Sequence, residues 1–428
     1  ILSFEERGRL MIELLAPAGD FEKLTKVIQY GADAVYLGLH QFNLRAAGGN
    51  FSLHDQLPQA VELAHQNKVK VYLTLNSLAR DHDFADLETS IKTLPATGID
   101  AVIVSDPGVL QMIRKFAPEL DIHISTQSSV MNSQTAKFWY DQGVTRIILA
   151  RELSLADIKT MRQQIPDDLE LEAFVHGAMC MSYSGRCILS DFFNARSGNR
   201  GTCTQPCRWN YQTDALLLRE KGHPDKPIIL EQDQHGSYLL SSSDLCMIEY
   251  IPQLVEAGIT SFKIEGRTKS AFYASVVVKT YRQALDAYLA DPDNYQVDPA
   301  WLEALEQTVH RHFDTGFFFQ DTSRPLVEQE SKIHAEKTMY KQAKVIAEVR
   351  DNLENSYLIL EQKNKIERGA VVELIMPNRD KIDLQLNELF DINRQPIDST
   401  PHARMLFLIP FENAEEVPQG SYLKQVLY

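Results

Sequence analysis

Only five cysteines occur among 428 residues, and no stretch resembles a secretory signal peptide. Disulfides need an oxidising compartment, so a disulfide framework is not expected. No apolar run reaches the ~18 residues that a membrane-spanning helix requires, which removes a membrane span and makes the cytoplasm the expected compartment. Low-complexity tracts are absent as well. So is any cationic surplus: 43 Lys and Arg stand against 58 Asp and Glu, a formal charge of −15. An acidic total disfavours indiscriminate binding to nucleic acid or to an anionic membrane. Any RNA must therefore be met by a local basic patch. Two hydrolytic motifs are missing too, the G-x-S-x-G elbow and the H-E-x-x-H metal helix.

What is present is concentrated. Cys180, Cys187, Cys203 and Cys207 form a C-x6-C-x15-C-x3-C run, and soft thiolates gathered this way point to a metal or cluster rather than to packing. Structural zinc usually takes two short C-x2-4-C knuckles, a spacing that only Cys203 and Cys207 approach. Four thiolates suit a [4Fe-4S] cluster. Zinc is the alternative, and four unrelated buried thiols are a third reading. Cys246, alone in the apolar LCMIEYI, reads as a core residue.

The length calls for two or three domains. From Met11 to Ala290, β-rich runs alternate with helical patterns. The strands are expected at 12–16, 34–38, 69–75, 101–105, 121–125, 146–150, 169–175 and 259–264, and the helices at 20–30, 55–66, 83–94, 108–116, 133–142 and 154–164. Eight strands with intervening helices favour a (β/α)8 TIM-like barrel over a doubly wound sheet, the more so because no G-x-G-x-x-G turn follows the first strand. The cysteines fall in an insertion, 177–258, between strands seven and eight. After the amphipathic pattern 267–290 a helical connector is expected over 291–336 and a small β-barrel over 337–428, where short strands alternate with turn residues.

Parallel strands bring the residues at their C-terminal ends to one face. Asn76, Asp106, Gln127, His176 and Glu265 are the catalytic candidates by this placement, with Glu13 joining them from early in the first strand. Each has a plainer reading: Asn76 or Asp106 as a helix cap, Glu13 as a solvated strand residue, His176 as a structural histidine. Lys263, Arg267 and Lys269 lie where the last barrel strand feeds a helix, a usual anion site in this architecture. Arg186, Arg196, Arg200 and Arg208 intersperse the cysteines, where they can meet an RNA backbone or offset cluster charge.

The segment EAFVHGAMC, 172–180, continued through Gly185, Cys187 and Ser190, closely resembles the signature of the peptidase U32 family. LLAPAGD, YGADAVYLG, VSDPGVL, ARELSL, GTCTQPCRW and SFKIEGRTKS resemble further family landmarks in the expected order. The chain is most similar to the branch implicated in forming 5-hydroxyuridine at the tRNA wobble position, with prephenate implicated in the pathway. The resemblance implies an iron-sulfur tRNA-modifying protein with Cys180, Cys187, Cys203 and Cys207 as ligands. Its implied partners are tRNA, prephenate or a related small anion, and an electron-donor protein. Relatives that hydroxylate rRNA or a quinone precursor keep those substrates as alternatives. The family's name keeps a collagenase-like peptidase in view, and an RNA-binding accessory without chemistry of its own is a further class.

Overall fold

The computed structural model describes residues 12–46, 50–180, 182–209, 242–320 and 340–427, together with the backbone of short strand segments between 217 and 237. Strands β1 (Glu13–Pro17), β2 (Ala34–Gly38), β3 (Lys70–Leu75), β4 (Ala101–Val104), β5 (Asp121–Ile124), β6 (Arg146–Ile148) and β7 (Glu170–Ala178) pair in parallel and in chain order. A short strand, β8 (Asp244–Cys246), follows the insertion. The next, β9 (Ser261–Ile264), closes the ring by pairing in parallel with both β7 and β1. The result is an eight-stranded parallel barrel.

Helices α1 (Phe21–Gln29), α2 (Gln56–Gln66), α3 (Phe84–Thr93), α4 (Pro107–Phe116), α5 (Ser133–Asp141) and α6 (Leu155–Arg162) follow the first six strands. Their starts are set by local chemistry. The Asp20 carboxylate accepts from the Lys23 amide at 2.9 Å, Asn132 from Thr135 at 2.9 Å, and Ser154 from Asp157 in a reciprocal capping box, contacts worth about 1 kcal/mol each. The strands are short, apolar and buried on both faces, as parallel strands covered by helices must be; all five residues of β2 are buried.

The exceptions to that apolar rule stand at the strand starts and point into the barrel. Glu13 was expected near the mouth but lies at the opposite, N-terminal end. There Arg146 Nη1 pairs with it at 2.5 Å, Ser261 Oγ donates to it at 2.8 Å, and the Tyr72 hydroxyl donates to its other oxygen. Arg146 also reaches Glu172 at 3.2 Å, and Lys263 Nζ closes on the other Glu172 oxygen at 2.7 Å. Burial alone would raise the Glu13 pKa, but the Arg146 guanidinium, with the hydrogen bonds from Tyr72 and Ser261, outweighs it and holds the carboxyl below its usual range. This charged floor corrects two expectations, because Lys263 is committed to Glu172 inside the barrel and is not at the catalytic mouth.

Past the barrel strands, β7 runs on to Ala178 and pairs antiparallel with β8, which seats Cys246 in the core. Within the insertion lie the short helix α7 (Leu189–Asn194) and a hairpin of Leu217–Glu220 with His223–Ile229. Helix α8 (Ile251–Glu256) leads into β9, and α9 (Ala271–Ala290) leads out of it. Beyond α9 come α10 (Pro299–Glu306) and β10 (Phe313–Asp314), the latter pairing with β8. The rest of the expected connector, 321–336, lies outside the described residues.

The C-terminal domain is an antiparallel half-barrel of seven strands: β11 (Ala343–Leu353), β12 (Tyr357–Gln362), β13 (Val371–Ile375), β14 (Ile382–Gln385), β15 (Phe390–Asp391), β16 (Leu406–Pro410) and β17 (Tyr422–Val426). Their order across the sheet is β14-β13-β17-β11-β12-β16-β15. It has its own core, which includes Ile346, Leu360, Leu374 and Phe407. It docks on the outside of the barrel through α1, where Lys26 Nζ pairs with Glu348 at 2.7 Å and donates to Gly420 O at 2.8 Å.

Candidate active site at the barrel mouth

At the C-terminal end of the barrel the polar groups are arranged differently from those on the floor. Arg267, three residues past β9, is buried. Its guanidinium donates to Asn43 Oδ1 and Thr74 Oγ1, both at 3.3 Å, and to Asn50 Oδ1. Gly38 makes room for it, since a Cβ there would stand 2.6 Å from Arg267 Nη2. Glu265 accepts from Arg45 Nη2 at 3.1 Å and lies 3.3 Å from the Tyr36 hydroxyl. Burial pushes the Glu265 pKa up, and Arg45, Arg151 and Arg267 together overcome this and hold it low. Burial lowers that of Arg267 to about 10. Three guanidiniums therefore surround one carboxylate in a protein that is acidic overall.

Asn76 ends β3 and donates to Ser125 Oγ at 3.1 Å, while Ser105 Oγ donates to the Asn76 carbonyl at 2.8 Å. Three buried polar atoms around this mouth, Arg267 Nε, Arg151 Nε and Asn76 Oδ1, have no hydrogen-bond partner among the described residues. Such atoms cost about 1–3 kcal/mol each when left unsatisfied, so they mark places where a bound polar group is stabilising.

The cysteine segment is fastened over this opening. Ser184 N donates to Glu152 Oε1 at 2.8 Å, and Ser129 Oγ donates to Ser184 O at 2.6 Å, which fixes the stretch between Cys180 and Cys187 above β5 and β6. On the other side Arg200 forks onto Asp83 at 2.8 and 3.1 Å and onto Leu78 O at 2.9 Å. Gly201, at φ 83°, packs so tightly on Asn43 O that a side chain would collide.

All four thiols are free and at least partly solvent-accessible. Burial raises the pKa of the Cys207 thiol; Arg208 opposes the shift, and Cys180, Cys203 and Cys187 add to it, so those three sulfurs lie within electrostatic reach of Cys207. The Gln205 amide donates to Cys203 Sγ at 3.3 Å. Arg151 joins cysteines and mouth, with Nη1 3.9 Å from Cys180 Sγ. Among the described residues no three His, Cys, Asp or Glu side chains are gathered so as to hold one metal ion.

The structure brings Asn76, Gln127, Glu265 and Arg267 to the mouth, and it sends other candidates elsewhere. Asp106 is a helix cap: its carboxylate accepts from Gly108 N at 2.7 Å and Val109 N at 3.3 Å. His176 is sealed among the rings of Tyr273, Tyr281 and Phe313. Burial there drops its pKa to about 3, and a ring so enclosed cannot exchange protons with a substrate. Lys269 turns away toward β8, with Nζ on Val309 O at 3.0 Å and 3.9 Å from Asp244. The three cations in and just after β9 thus occupy three separate environments, and only Arg267 faces the mouth. Gln127 lies under the cysteine loop, its carbonyl in close contact with Gly185. Asn43, Arg45 and Asn50 were not anticipated; their only signal is the unusually long connection from β2 to α2, on the face where such loops build sites.

A (β/α)8 barrel with a thiol-bearing insertion clamped over an arginine-rich mouth is the class these features define. The chain belongs to peptidase family U32: residues 19–328 match Peptidase family U32, and residues 341–423 match the Peptidase family U32 C-terminal domain. It is 36% identical over 393 residues to tRNA hydroxylation protein P1 of Bacillus subtilis, covering 91% of this chain and 89% of the relative. It is 37% identical over 344 residues to tRNA hydroxylation protein P of Escherichia coli, covering 72% and 75%. A protein of Porphyromonas gingivalis named Collagenase is 32% identical over 315 residues, covering 72% and 73%. No helix among the described residues is long and apolar enough to cross a membrane.

Proposed function

We propose that this protein modifies tRNA by contributing to 5-hydroxyuridine formation at the wobble position, with a [4Fe-4S] cluster held by Cys180, Cys187, Cys203 and Cys207. The observation that carries the reading is the meeting of four free thiols with an arginine cluster around one carboxylate at one barrel mouth, in a chain similar along nine-tenths of its length to a tRNA hydroxylation protein. The donor set fits the cluster. Thiolates are the ligands such clusters take, and Cys180, Cys187 and Cys203 all act electrostatically on Cys207. When bound, a cluster supplies electron transfer. The Gln205 amide donates to one of its sulfur ligands, an interaction that tunes potential.

The chain's own residues do the binding and orienting. Arg267 and Arg151, each with an Nε–H unpartnered among the described residues, suit a carboxylate of prephenate or a related small anion. Glu265, held ionised by Arg45 and the other guanidiniums, offsets part of their mutual repulsion and fixes Arg45 by its hydrogen bond. A peptidase finds less support here, because His176 is buried among the rings of Tyr273, Tyr281 and Phe313 and has no hydrogen bond to a thiol among the described residues. The test is mass spectrometry of tRNA nucleosides from a deletion strain lacking any oxygen-dependent route to the same product. Loss of 5-hydroxyuridine and its derivatives, restored by the intact gene, is expected. Unchanged modification would refute the reading.

A further inference from the structure

Helix α7 is built inside out. It buries Ser190 and leaves Phe192 78% exposed, Phe193 48% exposed, and Ile188 at its N-cap 70% exposed. Ile188 and Phe192 stand one turn apart, linked by the Phe192 N to Ile188 O hydrogen bond of 2.9 Å, so they share a face. Phe192 meets Phe193 edge-on at 5.2 Å between ring centres, and Phe193 continues to Trp209 at 5.8 Å. The Trp209 indole is anchored by donating to Thr204 O at 3.0 Å. A row of rings is therefore held on an anchored footing that starts five residues beyond Cys187. Apolar surface of this kind is left uncovered by monomeric proteins mainly where something docks.

Charge says what docks. Arg186 and Arg196 flank the row, both exposed and without an ion-pair partner among the described residues; Asp191 is the one exposed acid on the helix. Exposed rings bracketed by guanidiniums suit a polyanion with flat faces. Granting the tRNA reading above, on which this inference rests, we propose that Phe192 and Phe193 form a stacking platform for unpaired nucleotides of the tRNA loop, with Arg186 and Arg196 contacting its phosphates. Duplex RNA hides its base faces, so the platform selects single-stranded loops. Continuity with Cys187 places the stacked nucleotides beside the cysteine segment and the mouth.

The test uses the full, cluster-loaded chain prepared anaerobically, with fluorescence anisotropy on two RNAs: an anticodon stem-loop carrying a wobble uridine and a blunt duplex of equal length. The Phe192→Ala/Phe193→Ala pair should weaken stem-loop binding about ten-fold or more, with duplex binding and salt dependence unchanged. Phe192→Trp should keep the affinity. Arg186→Gln with Arg196→Gln should flatten the slope of log K against log salt by about 1.4, at ~0.7 per single-strand phosphate contact. Iron content and thermal unfolding identify any variant that fails to fold, and the tryptophan variant then carries the comparison.

Wild-type affinity in the alanine pair would overturn the platform. So would a change of oligomeric state with RNA affinity unchanged, since the face would then join copies of the chain. If the alanine pair restores 5-hydroxyuridine to a deletion strain as well as wild type does, the platform alone falls. If wild type itself fails to restore it, the tRNA reading falls and takes the platform with it.

Discussion

The two ends of the barrel carry similar residues and treat them in opposite ways. On the floor, Glu13, Arg146, Glu172 and Lys263 satisfy one another, with Tyr72 and Ser261 completing the contacts; His123 Nδ1 is the one buried polar atom there without a partner among the described residues. At the mouth, Arg267 and Asn76 are buried and Arg151 is half-buried, and each keeps a buried polar atom unpaired among the described residues. A closed network needs nothing further and reads as architecture. An open one is stabilised where a polar ligand supplies the missing partner.

Breaking the floor should have the largest effect on stability. Arg146→Ala or Glu172→Ala strands a buried opposite charge and should cost about 3–5 kcal/mol in denaturant unfolding, whereas replacing Glu172 and Lys263 together by Leu and Met should be close to neutral. If single and paired replacements were equally harmful, the floor would not be a self-contained network.

Acid should act through the buried histidines. Because the folded pKa of His176 is depressed to about 3, against an unfolded value near 6.5, the unfolded chain binds a proton that the folded chain refuses. The contribution is fully present above about pH 6.5. It is lost as pH falls toward 3, at about 1.4 kcal/mol per pH unit. His176→Phe should remove this part of the pH slope in unfolding experiments, leaving the share from His123, whose pKa burial also lowers.

At the mouth the readout changes from stability to chemistry. Arg267→Ala should weaken binding of the small anion about ten-fold or more, at on the order of 1.5–3 kcal/mol per charge-assisted contact, and should lower tRNA modification. Because Arg267 is buried and holds Asn43, Thr74 and Asn50, its loss should also lower stability by about 1–3 kcal/mol, and anion binding is compared at a temperature where the variant is folded. Lys269→Ala should leave anion binding alone. The smallest effect is expected from Arg200→Ala, which opens the clamp onto Asp83. It should cost no more than about 1 kcal/mol, seen as easier loss of iron on dilution.

Much of this frame is legible in the sequence, because strand and helix periods, and caps such as Asp20, Asn132 and Ser154, are local signals. All eight barrel strands and the six helices that follow the first six of them lie within a few residues of their expected places. The direction of a polar side chain near a strand end is another matter. Lys263 and Arg267 are four residues apart in one motif, yet one turns to the floor and the other to the mouth; the irregular register between Lys263 and Ile264, where β9 meets β7, is set by the partner strand. His176 looks like an acid–base group until α9 and β10 supply the rings that enclose it. Arg45, Asn43 and Asn50 follow no periodic pattern, so tertiary contact with Glu265 and Arg267 alone reveals them.

The central claim is that the four thiols at the mouth hold a cluster, and iron and labile sulfide analysis of anaerobically purified protein tests it most directly. About four iron and four sulfide per chain are expected, lost on replacing Cys180, Cys187, Cys203 or Cys207 with Ser and kept in Cys246→Ser, whose thiol is buried in the core. Stoichiometric zinc without sulfide in freshly prepared anaerobic protein would contradict it.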